Sequence, residues 1–99
     1  AEDAVKEVDV VYTDSWMSYH ISKEQEEARV KVLSPFQVNE NLMKLAKRDA
    51  IFMNCLPAKR GHEQTAEVID GPQSVVFDQA ENRLHIQKAI LLYLLEKEN

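Results

Sequence analysis

Residues 50–57 read Ala50-Ile51-Phe52-Met53-Asn54-Cys55-Leu56-Pro57, and this stretch decides the fold. A short apolar run closed by Leu56-Pro57 is too brief for a helix and predicts a buried strand over 50–53. Working outward, Val8-Asp9-Val10-Val11-Tyr12-Thr13 is β-branched and predicts a strand ending near Asp14. Ser74-Val75-Val76-Phe77 predicts a third. The intervening periods are helical. Residues 22–32 form a charged helix capped by Ser22, with Gln25 at the capping-box position, and Ser34-Pro35 breaks it. Asn39 opens a second helix through Lys47, with Leu42, Leu45 and Ala46 on one face. Thr65 caps a short helix to Asp70, closed by Gly71-Pro72, and a last helix runs from about Glu81 to Glu96.

Apolar strands joined by helical crossovers predict an α/β fold, a parallel sheet with helices on both faces. Three strands make a small sheet with two open edges, so the chain is expected to be an incomplete half of a larger domain. In such sheets the chemistry lies past the carboxyl ends of the strands, here 14–18, 54–60 and 78–83.

Composition narrows the classes. At 99 residues, 44% hydrophobic and 29% charged, the chain is one small globular domain, which excludes disorder, collagen and membrane spans. A net charge of −5 argues against nucleic acid as a partner. The single cysteine, Cys55, forms no intramolecular disulfide, and no Cys/His set has zinc-ligand spacing, so no metal is expected and a reducing cytoplasm is the simplest compartment. The acidic start is unlike a signal peptide. The only two glycines, Gly61 and Gly71, build no phosphate-cradling loop, and no cofactor motif is present.

Three groups at the strand ends carry candidate chemistry. Asp14, in Asp14-Ser15-Trp16-Met17-Ser18, is placed to fix an ammonium group or simply to cap its turn. Cys55 is either presented by an exposed turn, with His62 and His85 as candidate bases, or buried as a structural thiol. Leu56-Pro57 is suited to a cis bond that turns carbonyls outward. Arg83, entering the last helix, either clamps an anion or pairs with Asp78 or Glu81. Lys59 and Arg60 are further cations for a phosphate.

These residues lie in DVVYTDSWMS (9–18), PFQVNENLM (35–43), IFMNCLPAKRG (51–61) and VIDGPQSVVFDQAENRLHIQKAILLYLL (68–95). Together they resemble the carboxyl-terminal third of the ornithine carbamoyltransferases, within the aspartate/ornithine carbamoyltransferase family, over nearly the whole chain. The resemblance implies a Rossmann-like fold in which residues 1–99 are the carboxyl-terminal part of the ornithine-binding domain, the carbamoyl phosphate domain being absent from this chain. It implies carbamoyl transfer from carbamoyl phosphate to the side-chain amine of L-ornithine, giving L-citrulline and phosphate, in arginine biosynthesis. In that reading Cys55 is catalytic; Asp14, Ser18 and Tyr19 bind ornithine; and Cys55, Leu56 and Arg83 bind carbamoyl phosphate. The implied partners are the two substrates, the missing amino-terminal part and further copies in a homotrimer or higher assembly. Two departures stand out: Ser18-Tyr19-His20 replaces the family's Ser-Met-Gly, and Asn54 replaces the histidine of its His-Cys-Leu-Pro motif. Putrescine is therefore the alternative amine. A non-catalytic folding module is the alternative for the isolated chain, which lacks the family's phosphate loop.

Overall fold

The computed structural model describes residues 1–18 and 20–98. Tyr19, assigned to the amine-binding loop by resemblance, lies outside the described residues. At the centre β1 (Val10–Thr13) and β2 (Ile51–Asn54) run parallel, with Val10 opposite Ile51 and Thr13 opposite Asn54. Parallel pairing requires a long crossover. Here it contains α2 (Lys23–Leu33), a 3-10 turn at Ser34–Phe36 and α3 (Glu40–Met43). A short α1 (Glu2–Val5) precedes β1, and α4 (Ala66–Ile69) and α5 (Val76–Glu98) follow β2.

Local sequence sets the helix starts. Ser22 and Gln25 form both bonds of the expected capping box, Asn39 accepts the Leu42 N–H at 2.8 Å, and Thr65 accepts the Val68 N–H at 3.4 Å. Each such cap is worth about 1 kcal/mol. Tertiary bonds set the ends. The second helix stops at Met43 instead of reaching Lys47, because the following turn is drawn to the chain before β1. Lys47 N–H donates to the Val8 carbonyl at 3.1 Å, and Glu7 N–H to the Leu45 carbonyl at 3.2 Å.

The expected third strand at 74–77 is corrected to a single parallel bridge between Ser74 and Phe52. Phe52 N–H donates to the Gln73 carbonyl at 2.8 Å, and Val75 N–H to the Phe52 carbonyl at 3.0 Å. No strand flanks this segment's other side among the described residues, so extended backbone gains nothing further. The helical ladder of α5 therefore begins at Val76 and not Glu81, with Gln79 N–H bonded to the Val75 carbonyl at 2.9 Å.

Phe52, fully buried, is the centre of a core that includes Val11, Leu42, Met43, Val68, Ile69 and Val76. Truncating such a phenylalanine to alanine costs about 3–5 kcal/mol. Alternation along the strands puts Val11, Phe52 and Asn54 on the face packed by this core. Tyr12 and Met53 take the other face, which the first turns of α5 overhang. Beyond those turns α5 projects with Leu84, Ile86, Ile90, Leu91, Leu92 and Leu94 all exposed. The projection raises the radius of gyration to 16.6 Å, against about 13 Å for a compact chain of this length. No helix among the described residues is long and apolar enough to cross a membrane.

Candidate active site

Because Thr13 and Asn54 are partners in register, the residues that follow them leave the sheet side by side. These are Asp14 and Cys55. The Cys55 thiol donates to Asp14 Oδ1 at 3.0 Å, and the Ser15 N–H donates to the same oxygen at 2.6 Å. Those donors, the thiol foremost, hold the Asp14 carboxyl below its ordinary range, so it stays ionised. The same hydrogen bond, with burial second, pushes the Cys55 thiol up, so it is a neutral donor and not a thiolate. Cys55 is exposed, which removes the buried structural reading. Neither histidine is bonded to it: His62 stands by Trp16 with ring centroids 6.3 Å apart, and His85 Nε2 lies 3.8 Å from Glu81.

Beneath Cys55 lies a buried polar network. The Leu56-Pro57 bond is cis, and Leu56 sits at φ 53°. That left-handed conformation costs a leucine about 1–2 kcal/mol and persists only where its surroundings over-determine it. Asn54 Oδ1 accepts the Leu56 N–H at 2.9 Å, while Asn54 Nδ2 donates to Gln64 Oε1 at 2.8 Å. Gln64 Nε2 in turn donates to the Lys59 carbonyl at 3.2 Å, and Glu63 Oε1 accepts the Lys59 N–H at 2.8 Å. Asn54, Glu63 and Gln64 are all essentially inaccessible to solvent. The bond to the Leu56 N–H fixes the plane of the Cys55–Leu56 peptide and so the direction of the Cys55 carbonyl.

Helix α5 closes the third side. Gln79 Oε1 accepts the Asn54 N–H at 3.1 Å and its Nε2 donates to the Tyr12 hydroxyl at 3.0 Å, tying both strand ends to the helix. Arg83, one turn further along, lines a cavity of about 520 Å³ with Tyr12, Met53, Cys55 and Gln79. Among the described residues Arg83 makes no ion pair with Asp78 or Glu81. The other candidate cations are engaged: Arg60 grips Asp70 through two bonds of 2.8 and 2.7 Å, and Lys59 lies 3.5 Å from Glu26. Ser18 is exposed on the turn after β1, where its Oγ accepts the His20 N–H at 3.4 Å. It lines a smaller cavity of about 190 Å³ with Ser15, Met17, Pro57, Ala58 and Lys59. The structure thus gathers Cys55 and Arg83 around one opening, joins Asp14 to them through the Cys55 thiol, and sets Ser18 and Leu56 on the adjoining turns. Among the described residues no three His, Cys, Asp or Glu side chains group as a metal site.

Gln79, Gln64 and Glu63 are parts of this site that sequence reasoning missed. A signal was available for Asn54: two residues after Phe52 it falls on the same buried face, and a buried amide demands partners.

The parallel α/β unit presents an ionised carboxylate and a thiol from the turns after its two strands and a guanidinium from α5. The chain belongs to the aspartate/ornithine carbamoyltransferase family: residues 1–94 match the Asp/Orn binding domain of that family. It is similar to the ornithine carbamoyltransferase of Methanobrevibacter smithii, 62% identical over 93 residues, covering 94% of this chain and 31% of that one. The solved ornithine carbamoyltransferase of Pyrococcus furiosus is 58% identical with a TM-score of 0.83, over 91% of this chain and 28% of that one. The anabolic ornithine carbamoyltransferase of Campylobacter jejuni is 37% identical with a TM-score of 0.86, over 97% and 31%. The chain therefore spans about a third of the length of its relatives.

Proposed function

We propose that this segment is the carboxyl-terminal part of an ornithine-binding domain. In the full-length enzyme it serves carbamoyl transfer from carbamoyl phosphate to the side-chain amine of L-ornithine. The observation that carries this reading is that Cys55 bonds to Asp14 and also shares with Arg83 the lining of one cavity, in a chain of this family. The ionised Asp14 is an acceptor for a substrate ammonium, which competes with the Cys55 thiol for the same oxygen. The ammonium gives up one proton to solvent, the freed nitrogen bonds to the carbamoyl carbon, and the carbon–oxygen bond to phosphate breaks as the departing phosphate takes the second proton from that nitrogen. Negative charge on the carbonyl oxygen and leaving phosphate calls for fixed donors, a role that Arg83 suits. The carbonyls of Cys55 and Leu56 accept from the carbamoyl amino group, and Ser18 and Tyr19 complete the ornithine contacts.

Arg83 alone is too little charge for a dianionic phosphate, so catalysis requires the carbamoyl phosphate domain as well. On the same resemblance the enzyme is a cytoplasmic trimer or higher assembly acting in arginine biosynthesis.

The test is kcat/KM of the full-length enzyme for ornithine and for putrescine. Ornithine is expected to win, because Ser18 and the loop amides can answer its α-carboxylate, the group that putrescine lacks, while both substrates offer Asp14 an ammonium. A preference for putrescine refutes the ornithine assignment.

A further inference from the structure

Helix α2 has no buried residue, so the core does not explain its position. Two polar contacts reach from it to the site. Arg29 Nη1 donates to the Trp16 carbonyl at 3.0 Å, and Glu26 Oε1 lies 3.5 Å from Lys59 Nζ. Glu26 and Arg29 are three residues apart on one helix, hence on one face. That face therefore holds both turns of the site at once, the one after β1 through Trp16 and the one after β2 through Lys59.

Beyond Asp14, the turn to Ser18 has little else to fix it. Trp16 is buried and the Cys55 thiol holds Asp14 at the start of the turn, but the bonds of Ser15 and Met17 are local: Ser15 Oγ donates to the Met17 carbonyl at 3.1 Å and accepts the Met17 N–H at 3.2 Å. Among the described residues the Arg29 bond is the one hydrogen bond given to the Trp16 carbonyl, and it spans thirteen positions of sequence.

We infer that Arg29 is a positioning residue for the amine substrate: by holding the Trp16 carbonyl it sets the spacing between Asp14 and Ser18, the two ends of that turn. Arg29 itself does not touch the substrate. This rests on the proposed carbamoyl transfer for its functional readout and on hydrogen exchange for a readout that needs no substrate.

In the full-length enzyme, Arg29→Met keeps the aliphatic stem and removes the donor. Arg29→Lys keeps a charged N–H donor, and the Trp16 carbonyl uses only one. Arg29→Met is expected to raise amide exchange in the peptide covering residues 14–21. It should also raise the amine KM about fivefold, the usual scale for one hydrogen bond, and leave the carbamoyl phosphate KM within about twofold. Arg29→Lys should recover most of both changes. Unchanged exchange at 14–21 overturns the inference, and so does increased exchange with an unchanged amine KM. Equal rises in both KM values with a general loss of thermal stability identify a purely structural role and also overturn it. A wild-type enzyme that works on another amine refutes the ornithine assignment alone, and Arg29 is then judged on that amine.

Discussion

Asn54→Asp isolates the buried network, because it changes one donor into an acceptor at nearly constant shape. Asn54 Nδ2 donates to Gln64 Oε1 at 2.8 Å, so the new carboxylate would bring two acceptors together. Flipping the Gln64 amide offers no escape. Its Nε2 already donates to the Lys59 carbonyl, and the flip would set two oxygens against each other there. The lost bond and orphaned acceptor cost about 1–3 kcal/mol. A carboxylate at a site with no solvent access adds to that, for a total of about 3 kcal/mol at neutral pH. Burial and the facing acceptor favour the protonated carboxyl in the folded enzyme. The destabilisation is therefore full at neutral pH and shrinks as pH falls, when the acid O–H replaces the lost donor. Calorimetry of the full-length enzyme should show Tm lowered by at least about 5 °C at pH 7.5, with a smaller gap to wild type at pH 5. A variant within about 1 °C of wild type at pH 7.5 would refute the network as a determinant of the turn.

Two further outcomes follow from other contacts. Asp14→Asn removes the carboxylate that keeps the Cys55 thiol neutral, so the thiol's pKa should fall towards its ordinary value. Iodoacetamide should then alkylate Cys55 faster at pH 8, and an unchanged rate would mean that the 3.0 Å contact does not hold the proton. The 99-residue polypeptide alone should self-associate through the apolar residues that α5 leaves exposed, read as a mass above 11.4 kDa by light scattering. A monomer at high concentration would contradict this.

Much of the frame was legible from local chemistry. The β-branched run before Asp14 and the apolar run before Asn54 both became strands, and Ser22, Asn39 and Thr65 all became caps. The misread elements are those decided by distant partners. Ser74-Val75-Val76-Phe77 has strand composition, but with nothing beyond it to pair with, only one bridge forms and Val76 turns into α5. Residues 44–47 have helical periodicity, yet bonds to Glu7 and Val8 claim their backbone. At the site, Asp14, Cys55 and Arg83 stood out because their chemistry is conspicuous at strand ends. Gln64 and Gln79 did not, because an amide's value lies in which groups it joins, and that is a property of the folded chain.

The clasp of Gln79 onto the Tyr12 hydroxyl has a consequence for synthesis on the ribosome. Its two residues are 67 positions apart, and those of the Asp14–Cys55 bond are 41 apart. Closing a loop of that longer span costs about 4 kcal/mol of chain entropy, which one amide bond does not offset. Strand pairing and the Phe52 core must first draw the ends together. A nascent chain that has extruded Asp14, Cys55 and the network beneath them still lacks the helix that ties both strand ends. The two strand ends are therefore tied to α5 only once the helical turn bearing Gln79 and Arg83 has emerged.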